Sequence, residues 1–253
     1  MPEVKQPEGS KRRCLILTEP PRTEVADTLN HIIAPYGIVD ETEDRWLPKG
    51  LSRRNESRLR EGDELLSCEH CDGLRDWWLR DPTRGNTPNW DVASTCTMAD
   101  GKPGLVLVEA KAHLGELSRA GKTLTEKTNQ KNHDQIGIAI AKAKRGLNEA
   151  SSGLVFTVSR DSHYQLSNRF AWAWKIASLG TPVILVYLGF LNAREMAEGK
   201  RKYRLITDDD AWSRTLHRYA DPVVPAEVWG SGILKMRGVP LYPLIRTLDL
   251  NPR

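Results

Sequence analysis

Thr87-Pro88-Asn89-Trp90-Asp91-Val92-Ala93-Ser94, followed by Met98-Ala99-Asp100-Gly101-Lys102-Pro103-Gly104 and then Leu105-Val106-Leu107-Val108-Glu109-Ala110-Lys111-Ala112-His113, reads as two strands around a tight turn. If Ala99-Asp100-Gly101 forms a three-residue loop with Gly101 in the left-handed position after a type I turn, Met98 pairs with Lys102. Carried outward, that register sets Asp91 opposite Glu109 on one face of the sheet, with Cβ atoms about 4.5–5.5 Å apart. Side chains alternate along a strand, so Lys111 and His113 share the face of Glu109. Like charges so placed repel, and two carboxylates beside water suit a hard, oxygen-seeking cation such as Mg²⁺. An acid-Ala-Lys tripeptide is also common on solvated helix faces. Here Pro103 and Gly104 precede a run of Leu and Val, which argues for a buried strand instead.

The constellation resembles the catalytic core of the PD-(D/E)XK nuclease superfamily, the restriction endonuclease-like fold. Asp91 matches the aspartate of that motif, Glu109 its acid, Ala110 its variable position and Lys111 its lysine; the proline is displaced, with Asn89 and Trp90 between Pro88 and Asp91. The resemblance covers about a quarter of the chain, and it is the strand context that gives so short a pattern weight. It implies that Asp91, Glu109 and the carbonyl of Ala110 hold Mg²⁺, with Mn²⁺ as a substitute, and that Lys111 orients an attacking water and offsets developing charge. It implies, too, a polar residue sent to the site from the helix after the lysine strand, for which Gln135 is the choice, a solvated amide being the alternative. An extra acid from a preceding helix is a further feature of such enzymes, and Glu56 and Glu64 are the candidates, although most acids on such a helix face water.

At 253 residues the chain is long enough for one sizeable core. A net charge of +4 and a pI near 8.9 agree in sign with a nucleic-acid partner without demanding one. Four cysteines are few for a disulfide scaffold, and Cys68-Glu69-His70-Cys71 has the gap of a zinc site but no second pair to complete it, so reduced thiols are expected. The N-terminus lacks the order of a signal peptide, and Val183 to Leu191, the longest apolar stretch, is too short to span a bilayer. No membrane partner and a cytoplasmic location are the expectation.

Around the hairpin, residues 1–13 read as a loose polar tail and Cys14-Leu15-Ile16-Leu17 as a short strand. Helices are predicted over Thr23 to Ala34, over Arg53 to Cys68 and from Asn132 or His133 through Leu147, with residues 40–50 as loop. Trp77 and Trp78 fit either a short strand or a helix end, and more often such a pair seals a core than stacks on bases. Residues 115–131 suggest a mobile loop beside the site, with Lys122, Lys127 and Lys131 able to meet a phosphate backbone or simply to face water. Leu154 to Val158 reads as a strand. Phe170 to Ala177 is apolar around most of its circumference, so it reads as a buried helix. Its polar first turn, Tyr164, Gln165, Asn168 and Arg169, lies where free backbone N–H groups favour phosphate, with ordinary capping as the alternative. Val183 to Phe190 reads as a strand buried on both faces. Lys200-Arg201-Lys202 and Arg204 could touch phosphates or belong to a solvated turn, and Thr207-Asp208-Asp209-Asp210 is a helix start.

These readings combine into an α/β fold, a mixed central sheet flanked by helices with a restriction endonuclease-like core. Residues 14–207 form the core domain, and proline-broken residues 208–253 a segment packed on it. The expected function is a Mg²⁺-dependent nuclease acting on nucleic acid, DNA in preference, with Asp91, Glu109, Lys111 and Gln135 catalytic and His113 and Arg169 on the nucleic acid. Two alternatives stand beside it: a catalytically inactive nucleic-acid-binding or structural protein of the same fold, and a metal-dependent hydrolase of small phosphoesters. No Gly-rich phosphate loop points to ATP-driven chemistry.

Overall fold

The computed structural model describes residues 7–19, 21–125, 129–198, 202–231 and 234–250. In chain order these form α1 (Gly9–Leu17), α2 (Arg22–Ile33), β1 (Gly37–Ile38), β2 (Trp46–Leu47), α3 (Cys68–Trp78), β3 (Val92–Met98), β4 (Pro103–Lys111), α4 (Gln130–Ala150), α5 (Tyr164–Ser178), β5 (Val183–Phe190), α6 (Glu195–Glu198), α7 (Asp209–Ala220), β6 (Lys235–Met236) and β7 (Val239–Leu248). The strands make one mixed sheet in the order β1-β3-β4-β5-β7-β6, with β2 also paired to β3. β3 and β4 are antiparallel, whereas β4, β5 and β7 run parallel.

The turn chemistry sets the register. Gly101 has φ of +82°, a conformation that glycine adopts without strain, and Met98 N–H donates to the Lys102 carbonyl at 2.8 Å. Val92 then faces Val108 and Thr97 faces Pro103, the predicted pairing. Because β4 and β5 are covered on both faces, both of their side-chain sets are apolar. Leu105, Leu107, Val183, Leu185 and Tyr187 pack towards α4, α5 and α7. Val106, Val108, Ala110, Ile184, Val186 and Leu188 pack towards α1 and α2. Trp77 and Trp78 end α3 and meet Trp172 of α5, with ring centroids 6.1 and 5.6 Å away, so this pair seals the core.

Several expectations are corrected. Cys14 to Leu17 is the end of α1, and Arg13, expected in a loose tail, is 2 % exposed, with Nε on Glu195 Oε1 at 2.8 Å and a terminal nitrogen on the Leu250 carbonyl. Residues 1–6 lie outside the described part. Arg53 to Cys68 is not a helix. Its Asp63 carboxylate accepts from Arg58 N–H and from the Ser57 hydroxyl, and Leu59, Gly62 and Glu64 take positive φ. Such local side-chain bonds offer the backbone an alternative to helix, and the helix begins only where Ser67 caps His70 N–H. Leu154 to Val158 is extended but joins no ladder, since Phe156 N–H goes to the Asn148 side chain and Thr157 N–H to the Val223 carbonyl. Within 115–131, Lys127 is outside the described residues and Lys131 belongs to α4; Lys200 and Arg201 are likewise outside them.

Strands of the sheet lie on both sides of residue 207. Asp208 caps α7 as its sequence predicts, accepting from Ala211 N–H at 2.7 Å. β7 then pairs with β5 over eight positions, Val183↔Leu241 to Phe190↔Leu248, so the C-terminal segment supplies a strand of the sheet. β6 is only two residues long and pairs with Val239 and Pro240, leaving the rest of β7, Pro243 included, as an edge where proline is tolerated. Among the described residues no helix is long and apolar enough to cross a membrane.

Candidate active site

Odd-numbered residues of β4 point to the α5 side, and at the end of that strand the next two are Glu109 and Lys111. Glu109 is 1 % exposed and Lys111 4 %. An isolated carboxylate so placed would be strongly destabilising, and it is satisfied instead by charge. Its Oε1 accepts from Lys111 Nζ and from Gln165 Nε2, the latter at 2.6 Å, while Oε2 accepts from Arg169 Nε. Gln165 and Arg169 are four apart at the start of α5 and so share one helix face. Arg169 is itself buried, lies over the Trp90 ring at 4.5 Å to the centroid, and donates to Asn168 Oδ1 at 3.1 Å.

Asp91 sits one residue before β3 and keeps partial exposure. Its Oδ2 accepts Ala110 N–H at 2.7 Å, so the carboxylate caps the strand between Glu109 and Lys111. The two acids titrate in opposite directions. Dense surroundings and then the Glu109 charge push Asp91 up to about 7, against the pull of Lys111 and Arg169. Burial also raises Glu109, but Arg169 and then Lys111 outweigh it and hold its carboxyl below the usual range. Glu109 therefore stays ionised, and Asp91 is the carboxyl short of a cation. Across the sheet Tyr187 faces Glu109, with a buried hydroxyl that has no hydrogen-bond partner among the described residues.

The structure thus brings together Asp91, Glu109, Ala110, Lys111 and Arg169. It sends Gln135 and His113 elsewhere. Gln135 donates to the Trp77 carbonyl at 2.9 Å, tying α4 to the end of α3, because that turn of α4 rotates towards α3. His113 leaves the cluster as β4 ends; its ring stacks on Tyr203 with centroids 3.8 Å apart, and burial holds its pKa down. Arg169, expected on phosphate, is committed to Glu109. Glu64 is exposed and paired with Arg45, whereas Glu56 bonds Lys11 at 3.0 Å and Asn89 at 2.8 Å. Gln165 was placed by the sequence at the right helix start without its partner, and nothing local to Trp90 signals its role under Arg169.

The oxygen donors that could hold a divalent ion are Asp91, Glu109 and the Ala110 carbonyl. The set fits a hard cation, since it is all oxygen and contains a carboxyl pushed up by its neighbour; to reach Glu109, such an ion would share or replace the Lys111, Gln165 and Arg169 contacts. No group of three or more His, Cys, Asp or Glu side chains with metal-binding geometry occurs among the described residues, and the four thiols are free. Above Gln165 and Arg169 opens a cleft of about 500 Å³, bordered by residues 86–89, by the loop around 118–122, and by Trp78, Tyr164 and Asn168. Comparison with protein-family models, with curated proteins and with solved structures returns no significant match.

Proposed function

We propose that the protein is a Mg²⁺-dependent nuclease of restriction endonuclease-like architecture, hydrolysing phosphodiester bonds of nucleic acid, DNA in preference, with Mn²⁺ as a substitute ion. The observation that carries this reading is the gathering of Asp91, Glu109 and Lys111 at one end of the β3–β4 hairpin, with the acids close enough for Glu109 to help push Asp91 up to about 7. The antiparallel hairpin followed by parallel β5 beneath α5 is compatible with it. Asp91, Glu109 and the Ala110 carbonyl would hold the ion. When bound, such an ion polarises a phosphoryl oxygen and makes nearby water more acidic. Lys111 donates to Glu109, and in this reading its ammonium would orient water and offset charge gathering on the phosphoryl group. Arg169 fixes the Glu109 carboxylate from the other side.

One observation favours a second reading, a nucleic-acid-binding protein of this fold without catalysis: both oxygens of Glu109 are already satisfied by side chains, as in a structural ion cluster. Purified protein incubated with plasmid, linear duplex and single strands, in Mg²⁺, Mn²⁺ or EDTA, separates the two. Cleavage that requires the metal and disappears in Asp91→Ala is expected. Binding without cleavage under any condition supports the second reading, and cleavage indifferent to EDTA or to Asp91→Ala overturns the first.

A further inference from the structure

The cleft above the acid cluster has an unusual wall. Although the chain carries 33 Asp and Glu, none of the described residues lining this cleft is acidic, whereas two are cationic, Lys122 and Arg169. Lys122 is half-buried, its ammonium lies over the Tyr164 ring at 5.0 Å, and it has no carboxylate partner among the described residues. Burial without a counter-charge holds its pKa below the usual lysine range. The remaining polar groups are mostly amides held in fixed poses. Arg58 donates to Asn86 Oδ1 at 2.9 Å and to Asn89 Oδ1 at 2.8 Å, which leaves the amide nitrogen of Asn86 as the donor turned away from Arg58. Gln165 and Arg169 connect this wall to Glu109.

With Arg169 already held by Glu109, the ammonium of Lys122 and the fixed donors beside it, without any acid in the wall, suit an anion, and the size limits which one. A volume of about 500 Å³ is that of a small-ligand pocket; a duplex docks over roughly 1,000–2,500 Å² of protein surface. Amide-rich walls also suit base edges and sugars, which an unpaired strand displays and a duplex hides.

We infer that this cleft receives an unpaired polynucleotide strand, with Lys122 on a backbone phosphate and the amide of Asn86 on a sugar or base oxygen, and that the protein prefers single strands to duplex. The inference rests on the nuclease reading only for the position of the scissile phosphate, since binding is separable from cleavage. It is tested by fluorescence anisotropy in EDTA, where no metal-dependent cleavage occurs, with labelled oligothymidylate and oligouridylate of about 12 nucleotides and a duplex of equal length. The single strands are expected to bind about tenfold more tightly than the duplex at equal salt, and the deoxy and ribo arms tell which sugar is preferred. Lys122→Gln should flatten the slope of log K against log salt by about 0.7. Lys122→Glu and Asn86→Asp should each weaken single-strand binding about fivefold or more, while Lys102→Ala, on the distant hairpin turn, should not. Thermal midpoints of all variants show that they are folded, and Lys122→Gln serves if Lys122→Glu is not. Equal or tighter duplex binding, or single-strand binding indifferent to Lys122→Gln in a folded protein, overturns the inference. Neither outcome touches the nuclease reading, which falls separately if Asp91→Ala leaves cleavage intact.

Discussion

Replacing Asp91 by Asn should stabilise the fold while removing the proposed activity. The Asp91 carboxyl rises from its ordinary 3.8 to about 7 on folding, so the folded chain holds that proton more tightly than the unfolded chain. The sign follows: the contribution is favourable and complete below about pH 4, is lost as pH climbs towards 7, and above 7 the ionised carboxylate is a net burden on the fold. At about 1.4 kcal/mol per pH unit the rise corresponds to roughly 4 kcal/mol. Asp91 is partly exposed, and solvent screening reduces this to about 2 kcal/mol. Asn can still accept Ala110 N–H through its amide oxygen, so the strand cap survives the change. Urea unfolding of both proteins between about pH 4 and about pH 8 should show the Asn variant gaining on wild type as pH rises, to about 2 kcal/mol at the alkaline end. Mg²⁺ at a hundredfold excess over its Kd should return about 2.7 kcal/mol to wild type and much less to the variant. A difference flat across that pH window, or a variant less stable than wild type throughout, would refute the reasoning.

Arg169→Met leaves Glu109 with Lys111 as its one cation, and should cost about 3–5 kcal/mol in urea unfolding at neutral pH, since it strips a buried charge of its partner; a loss under about 1 kcal/mol would mean that water reaches Glu109 readily. Lys111→Met keeps the Arg169 contact, and in single-turnover assays should reduce cleavage about a hundredfold or more if the ammonium acts on water or phosphate, whereas a purely structural lysine leaves the rate nearly unchanged. Gly189→Ala places a Cβ 2.9 Å from the Trp212 ring of α7, and should lower stability by about 1–3 kcal/mol with little effect on nucleic-acid binding, read by thermal unfolding and anisotropy.

Where local chemistry decides, the sequence already carried the answer. Asp100-Gly101 between two β-rich runs favours one hairpin register, and that register brings Asp91 to the Glu109 end of β4, while the strand's period of two puts Glu109 and Lys111 on one face. Val183 to Phe190 could only be a doubly covered strand, because eight consecutive apolar residues leave no face for water. Short apolar runs carry no such constraint. Cys14-Leu15-Ile16-Leu17 suits a strand or a helix end equally, and only its packing against β4 and β5 decides. Arg53 to Cys68 has leucines at helical spacing, yet Ser57, Gly62 and Asp63 draw the backbone into turns. Prolines break the C-terminal segment into short pieces, yet β7 still forms, because Pro240 precedes the β5 ladder that begins at Leu241 and Pro243 lies on the edge beyond the two-residue β6.

The limit for the site is of the same kind. A strand's period of two names the acids and the lysine, but the groups that satisfy Glu109 come from α5, 56 and 60 residues further along, and no local pattern specifies that contact. Gln135 lies on the helix after the lysine strand, yet helical spacing tells which residues share a face and not towards which neighbour the face turns. The contact between α5 and Glu109 has a mechanical consequence. Docking of α5 favours the ionised form of Glu109, because Arg169 is the largest charge holding its pKa down. Undocking that helix would strand one carboxylate beside another that already retains its proton to about pH 7. The same contacts that poise the two acids for a cation therefore bind α5 to β4, so a weakened Glu109 network should appear first as a loss of stability and only then as a loss of chemistry.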